Sequence, residues 1–239
     1  IILDAANDFW FGETHMPDEL KVGKLVLIFK NKGPIDDPAN YRPITILPCI
    51  YKLMEMIIYI RLAKWAESRL PDTQSGFRAY RNCPQQVLHL ALLQEYCENN
   101  NLHAYVALLD MKKAFDSVPH SALAMSLIKF GVPAQISKKI IQIIIGHINF
   151  IPTKNNNNNV VDDDDDDNNM EETLENRIYI NSGVPQGSIL GPLLFNIFIS
   201  DMPSTLSRRK SYGPFSSVLQ YADDTALIGR DIKELETIL

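Results

Sequence analysis

At 239 residues, with 46% hydrophobic residues and a formal net charge of −6, the chain can form one large domain or two small ones around a real core. Its three cysteines, Cys49, Cys83 and Cys97, show neither Cys-x-x-Cys spacing nor a nearby histidine pair. That argues against a zinc module or a disulfide scaffold and suits an intracellular protein, nuclear or cytoplasmic. No targeting signal is visible, and the apolar runs carry Lys, Glu or Arg too often to span a membrane.

In chain order, Leu25 to Lys30 reads as a strand, followed by a Gly- and Pro-containing loop over residues 31–38. Apolar residues at Ile50, Leu53, Met54, Ile57, Ile58 and Leu62 predict a helix over 50–70, which Pro71-Asp72 ends. A second amphipathic helix is expected over 84–97. Tyr105-Val106-Ala107-Leu108-Leu109 is apolar enough for a buried central strand, and Asp110 closes it. Helices are then expected over about 121–130 and, rich in Ile, over about 136–148.

Residues 153–172 are of low complexity, with five Asn at 155–159 and six Asp at 162–167. Such a run cannot bury enough apolar area to offset its ordering entropy. The six aspartates carry the whole of the net charge, so the near-neutral remainder leaves room for a local basic stripe. Candidates for it are Lys21, Lys24, Lys30, Lys32, Arg42, Arg78, Arg81, Lys112 and Lys113. Beyond the run, Gly183-Val184-Pro185-Gln186-Gly187-Ser188 permits close backbone approach and leads into an apolar helix. Val218 to Ile228 then reads as two short strands flanking Ala222-Asp223-Asp224, a tight hairpin with carboxylates at its tip.

Taken singly, Asp110 is a turn or cap residue and the Asp223-Asp224 pair is ordinary hairpin chemistry. Two adjacent strands that each deliver an acid at one end, however, can hold a pair of divalent ions about 4 Å apart. Such a pair clamps the attacking and leaving oxygens of a phosphoryl transfer, which is polymerase chemistry.

Four blocks in polymerase order strengthen this. They are Asn40-Tyr41-Arg42-Pro43-Ile44, Gln74-Ser75-Gly76-Phe77-Arg78, Asp110 with Ala114-Phe115-Asp116, and Gly183 to Ser188 joined to Tyr221-Ala222-Asp223-Asp224. With them the chain resembles the reverse transcriptase domain of non-LTR (LINE-type) retrotransposons, related to group II intron reverse transcriptases. The resemblance covers about residues 15 to 239. It implies an α+β fold of right-hand polymerase type, with an antiparallel palm sheet backed by helices. Residues 1–100 would form a fingers-like region with an N-terminal extension, and residues 101–239 the palm with its low-complexity insertion, without a thumb.

The resemblance further implies an RNA-directed DNA polymerase that extends a DNA primer on an RNA template with deoxynucleoside triphosphates. Asp110 and Asp223 would bind two Mg²⁺ ions, with Mn²⁺ as a substitute and the Met111 carbonyl completing one shell; Asp224 ranks below them. Lys30, Arg42, Phe115 and Gln186 would contact the nucleotide, Phe115 by packing under its sugar. Gln74, Gly76, Phe77 and Arg78 would line the template path, although Phe77 is also a natural packing residue. A truncated or decayed copy that binds nucleic acid without catalysis is the alternative. Oligomeric state is left open.

Overall fold

The computed structural model describes residues 2–12, 16–151, 153–154, 170–171, 177–206 and 215–238. A helix α1 (Ile2–Phe11) precedes the first sheet. That sheet is built from β1 (Val22–Phe29), β2 (Tyr41–Ile46), β4 (Ile148–Phe150) and β7 (Arg177–Tyr179) in the order β2-β1-β4-β7. β1 runs parallel to β4, and the other neighbours are antiparallel. The second sheet is antiparallel, in the order β3-β9-β8, from β3 (Tyr105–Leu109), β8 (Val218–Tyr221) and β9 (Asp224–Gly229). A short pair, β5 (Thr153–Lys154) and β6 (Met170–Glu171), flanks the Asn/Asp run, and residues 155–169 lie outside the described residues.

Four helices pack on one another: α2 (Cys49–Glu67), α4 (His120–Phe130), α5 (Ala134–Ile144) and α6 (Gly191–Phe198). Their apolar faces form one core, which includes Tyr51, Ile58, Leu123, Leu127, Ile140, Ile143, Leu194 and Phe195. Each such side chain, fully buried, contributes about 1.5–3 kcal/mol relative to exposure. The palm-like sheet is covered by α3 (Cys83–Asn99), whose Leu93 and Cys97 pack on Leu219 and Ile228. On its other face, Leu235 of α8 (Ile232–Ile238) meets Val218 and Leu227. A short α7 (Met202–Leu206) completes the helices.

Local sequence explains the element ends. The Asn82 carboxamide caps α3 by accepting the Gln85 amide, and the Gln85 side chain returns the bond, a reciprocal capping box. Gly131 ends α4 in the left-handed region at φ 101°, where a Cβ is disfavoured.

The Ile-rich helix expected to reach residue 148 ends at Ile144, because Gly146 turns the chain at φ 78°. Ile148 then opens strand β4 beside Val22. The first sheet also draws strands from both sides of residue 100, and α3 packs on the sheet that carries Asp110.

Candidate active site

Asp110 follows β3 directly. In the β3–β9 ladder the last pair is Leu109 with Thr225, so one further step brings Asp110 level with Asp224. Tyr221 pairs with Asp224, leaving Ala222-Asp223 as a two-residue turn. Three acidic residues therefore sit at one end of one sheet. Asp110 and Asp224 are exposed and Asp223 is half-buried. None of these side chains has a hydrogen-bond or ion-pair partner among the described residues.

The turn itself is unusual. Ala222 has φ 58° and is 6% exposed; a residue with a Cβ visits that region rarely. Residues 73–76 lie against it. Gln220 donates its amide to the Thr73 carbonyl at 2.8 Å, and Ser75 donates to Gln220 at 2.9 Å. A Cβ on Gly76 would sit 2.2 Å from the Ala222 nitrogen, so only glycine fits this approach.

The Gly183 to Ser188 loop bridges β2 and the segment that follows Asp110. Val184 donates to the Phe115 carbonyl at 3.0 Å, Gly183 donates to Val118 at 2.7 Å, and the Ser182 hydroxyl donates to Asp116 at 3.1 Å. Gln186 donates its side-chain Nε2 to Asp116 Oδ1 at 3.3 Å, while its carbonyl accepts the Thr45 amide at 2.7 Å. Gly187, at φ 121°, would place a Cβ 2.2 Å from the Thr45 carbonyl oxygen. A cleft of about 310 Å³ opens here, lined by Thr45, Asp116, Gln186, His147 and Asn149.

Glu55, fully buried on α2, anchors the far end of this loop. Its carboxylate accepts the Ser188 hydroxyl and the Ile189 amide, the latter at 2.8 Å. Burial pushes its acid upward from the ordinary carboxylate value, against the pull of those hydrogen bonds.

Phe115 is half-buried and stacks on Phe195, with centroids 4.4 Å apart and planes at 22°. Phe77, 53% exposed at φ 58°, covers it edge-on. Lys30 and Arg42 lie at the loop end of the β1–β2 hairpin, where Ile28 pairs with Arg42. Lys30 donates to the Ala39 carbonyl at 2.9 Å, and Arg42 is exposed.

Other expected contact residues are turned inward. Gln74 is 1% exposed and Gly76 is buried. The Arg78 guanidinium holds Glu67 through Nε and Nη2 and reaches the carbonyls of Pro71 and Gln74 at 2.7 and 3.0 Å. Lys21 is buried beside Asp18, and Arg81 is paired with Asp72. These cations leave the proposed basic stripe.

Glu55 and Asn196 carried no expected role. Asn196 is 1% exposed and donates to the Gly76 carbonyl at 2.8 Å. For Glu55 the available signal was a single acid between Met54 and Met56 on a helix otherwise apolar there.

A model of the family described as reverse transcriptase (RNA-dependent DNA polymerase) matches residues 29–239. The chain belongs to that family. It is 31% identical over 216 residues to a probable RNA-directed DNA polymerase from transposon BS of Drosophila melanogaster, covering 89% of this chain and 22% of that protein. It is 29% identical over 218 residues to the RNA-directed DNA polymerase from mobile element jockey of the same fly, covering 90% and 22%. These relatives belong to LINE-type, non-LTR retrotransposons.

Telomerase from Candida tropicalis, solved with the TWJ fragment of telomeric RNA, superposes with a TM-score of 0.61 at 13% identity, covering 99% of this chain and 41% of that one. At that identity the likeness concerns the fold. The chain spans about 22% of the length of the curated relatives it matches. Among the described residues, no helix is long and apolar enough to cross a membrane.

Proposed function

We propose that this chain carries the polymerising centre of a retrotransposon reverse transcriptase, adding deoxynucleotides to a DNA primer along an RNA template. The observation that supports this most is the β3–β9 register, which brings Asp110 level with Asp224 beside the Ala222-Asp223 turn. Family membership over residues 29–239 agrees with it.

No group of three or more His, Cys, Asp and Glu side chains among the described residues could hold a metal ion by itself. The donor set nonetheless suits magnesium, which binds through one or two carboxylates and takes its remaining oxygens from substrate phosphates and water. Asp110 and Asp223 would hold it, with the Met111 carbonyl as a further oxygen and Asp224 beside them; manganese takes the same ligands. Two such ions, when bound, lower the pKa of the attacking hydroxyl and neutralise the leaving pyrophosphate.

The chain's own groups do the rest. Phe115, braced by Phe195 and Phe77, presents its ring to the sugar of the incoming nucleotide. Gln186 borders the nascent base pair from a loop tied to Asp116 and Thr45. Arg42 and Lys30 reach triphosphate oxygens, Arg as a bidentate fork and Lys as a point charge. In the 74–78 block, Phe77 is the exposed side chain and so the template contact. Gln74, Gly76 and Arg78 build the ground beneath it.

Primer extension on an RNA template with Mg²⁺ and deoxynucleotides tests this, beside Asp110→Asn and Asp223→Asn and with primer–template binding measured in the same samples. Extension by the parent and none by the two variants is expected, with binding unchanged. Extension by either variant removes that residue from the centre. Binding without extension in all three favours a nucleic-acid-binding copy that lacks turnover.

A further inference from the structure

Gln74 makes more bonds to the carboxylate turn than any residue outside it requires for packing alone. Its Nε2 donates to the Ala222 carbonyl at 3.0 Å, and its Oε1 accepts the Ala222 amide at 2.9 Å. The same oxygen accepts the Gly76 amide at 2.7 Å. Both polar backbone groups of Ala222 are thus held by one side chain 148 positions earlier in the chain. This orientation of the carboxamide is the one that satisfies all three bonds. Ala222 is buried at φ 58°, so without Gln74 its backbone groups would be left unpaired in a conformation that its Cβ disfavours. Asn196 holds the Gly76 carbonyl from α6, which fixes the platform on which Gln74 stands.

We propose that Gln74 is a positioning residue that locks Ala222 in its left-handed conformation and so aims the neighbouring Asp223 carboxylate toward the end of β3. This rests on the polymerase reading, in which Asp223 is a metal ligand. Gln74 touches neither substrate nor metal in this role. It acts through the backbone of the turn.

Three forms of the protein decide it: Gln74→Met, which keeps length but cannot hydrogen-bond; Gln74→Met with Ala222→Gly; and Ala222→Gly alone. Hydrogen exchange across residues 218–224 reads the turn, and Mn²⁺ binding by electron paramagnetic resonance reads the acids. Primer extension supplies kcat and KM. In Gln74→Met the Ala222 amide is expected to exchange about tenfold faster, as for the loss of one or two net hydrogen bonds. Mn²⁺ half-saturation should rise and kcat fall, while KM for primer–template stays unchanged. Glycine adopts positive φ without penalty, so Ala222→Gly should restore much of the Mn²⁺ affinity in the Gln74→Met background.

Unchanged exchange at Ala222 in Gln74→Met overturns the proposal. So does a loss of Mn²⁺ affinity that Ala222→Gly leaves untouched. Should Gln74→Met fail to fold, Gln74→Glu replaces it: the acceptor for both amides remains and only the donor to the Ala222 carbonyl is lost. Intermediate exchange is then expected, and parental exchange overturns the role. A failure of the polymerase reading looks different, since Asp223→Asn would then bind Mn²⁺ as the parent does, whatever the exchange of the turn.

Discussion

Phe77 sets its ring edge-on to Phe115, with centroids 5.8 Å apart and planes at 88°. Phe115 in turn stacks on Phe195 of α6. The ring proposed to meet the nucleotide sugar is therefore held on two sides and cannot swing away from an extra hydroxyl. Phe115→Val should lower discrimination against ribonucleotides by about tenfold or more, within what steric pockets usually supply against one hydroxyl. The ratio of kcat/KM for dNTP and rNTP checks this, and an unchanged ratio takes Phe115 out of sugar selection. The same change should cost about 2–4 kcal/mol in stability through the lost ring contacts and cavity.

Two buried groups give stability opposite slopes with pH. His147 is fully buried, and among the described residues neither ring nitrogen has a hydrogen-bond partner. Burial, aided by Lys21, lowers its pKa from 6.5 to about 4. The unfolded chain then binds more protons below 6.5, so stability falls as pH drops from 6.5 to about 4, by about 3 kcal/mol at most. His147→Leu should flatten that slope in urea titrations. Glu55 runs the other way, because its raised acid makes the folded state the better proton binder above its ordinary value of 4.5. Stability should therefore decline as pH rises from 4.5 through the folded value, and Glu55→Gln should remove the decline. An unchanged pH profile in either variant would deny that residue its part.

Arg78 separates a structural role from a template contact. Its side chain is 2% exposed, whereas the Glu67 side chain is 45% exposed, so solvent screens much of the ion pair. The carbonyls of Pro71 and Gln74 matter more. Arg78→Met should cost about 2–4 kcal/mol by stranding these acceptors. The salt dependence of RNA binding should stay as in the parent, since no phosphate contact is lost. A slope reduced by about one would instead mark Arg78 as a phosphate ligand.

The acidic hairpin was legible because its residues are neighbours in sequence: two apolar runs around Tyr221 to Asp224 leave little choice but a turn. Most helix boundaries followed from apolar spacing and from Pro71. The strand at Ile148 escaped because three residues are too few to show a period; pairing with Val22 and Tyr179 defines it. Gln74, Arg78 and Glu55 were the harder cases. Each is a polar residue that binds, among others, backbone groups supplied by the fold, and a backbone carbonyl or amide leaves no trace in the sequence. Motif membership marked Gln74 and Arg78 as important without telling inward from outward.

Thr45 gives its amide to the Gln186 carbonyl at 2.7 Å and leaves room beside its own carbonyl only for the hydrogen of Gly187. It is also paired with Leu25 in the β1–β2 hairpin. The strand is thus pinned to the palm loop at one point, which acts as a fulcrum. Outboard of it the arm runs over Val26–Phe29 and Tyr41–Ile44, about 13 Å at the rise of an extended chain. Were Lys30 and Arg42 to draw in a triphosphate as proposed, this short lever would bend at the pin and leave the sheet behind it seated.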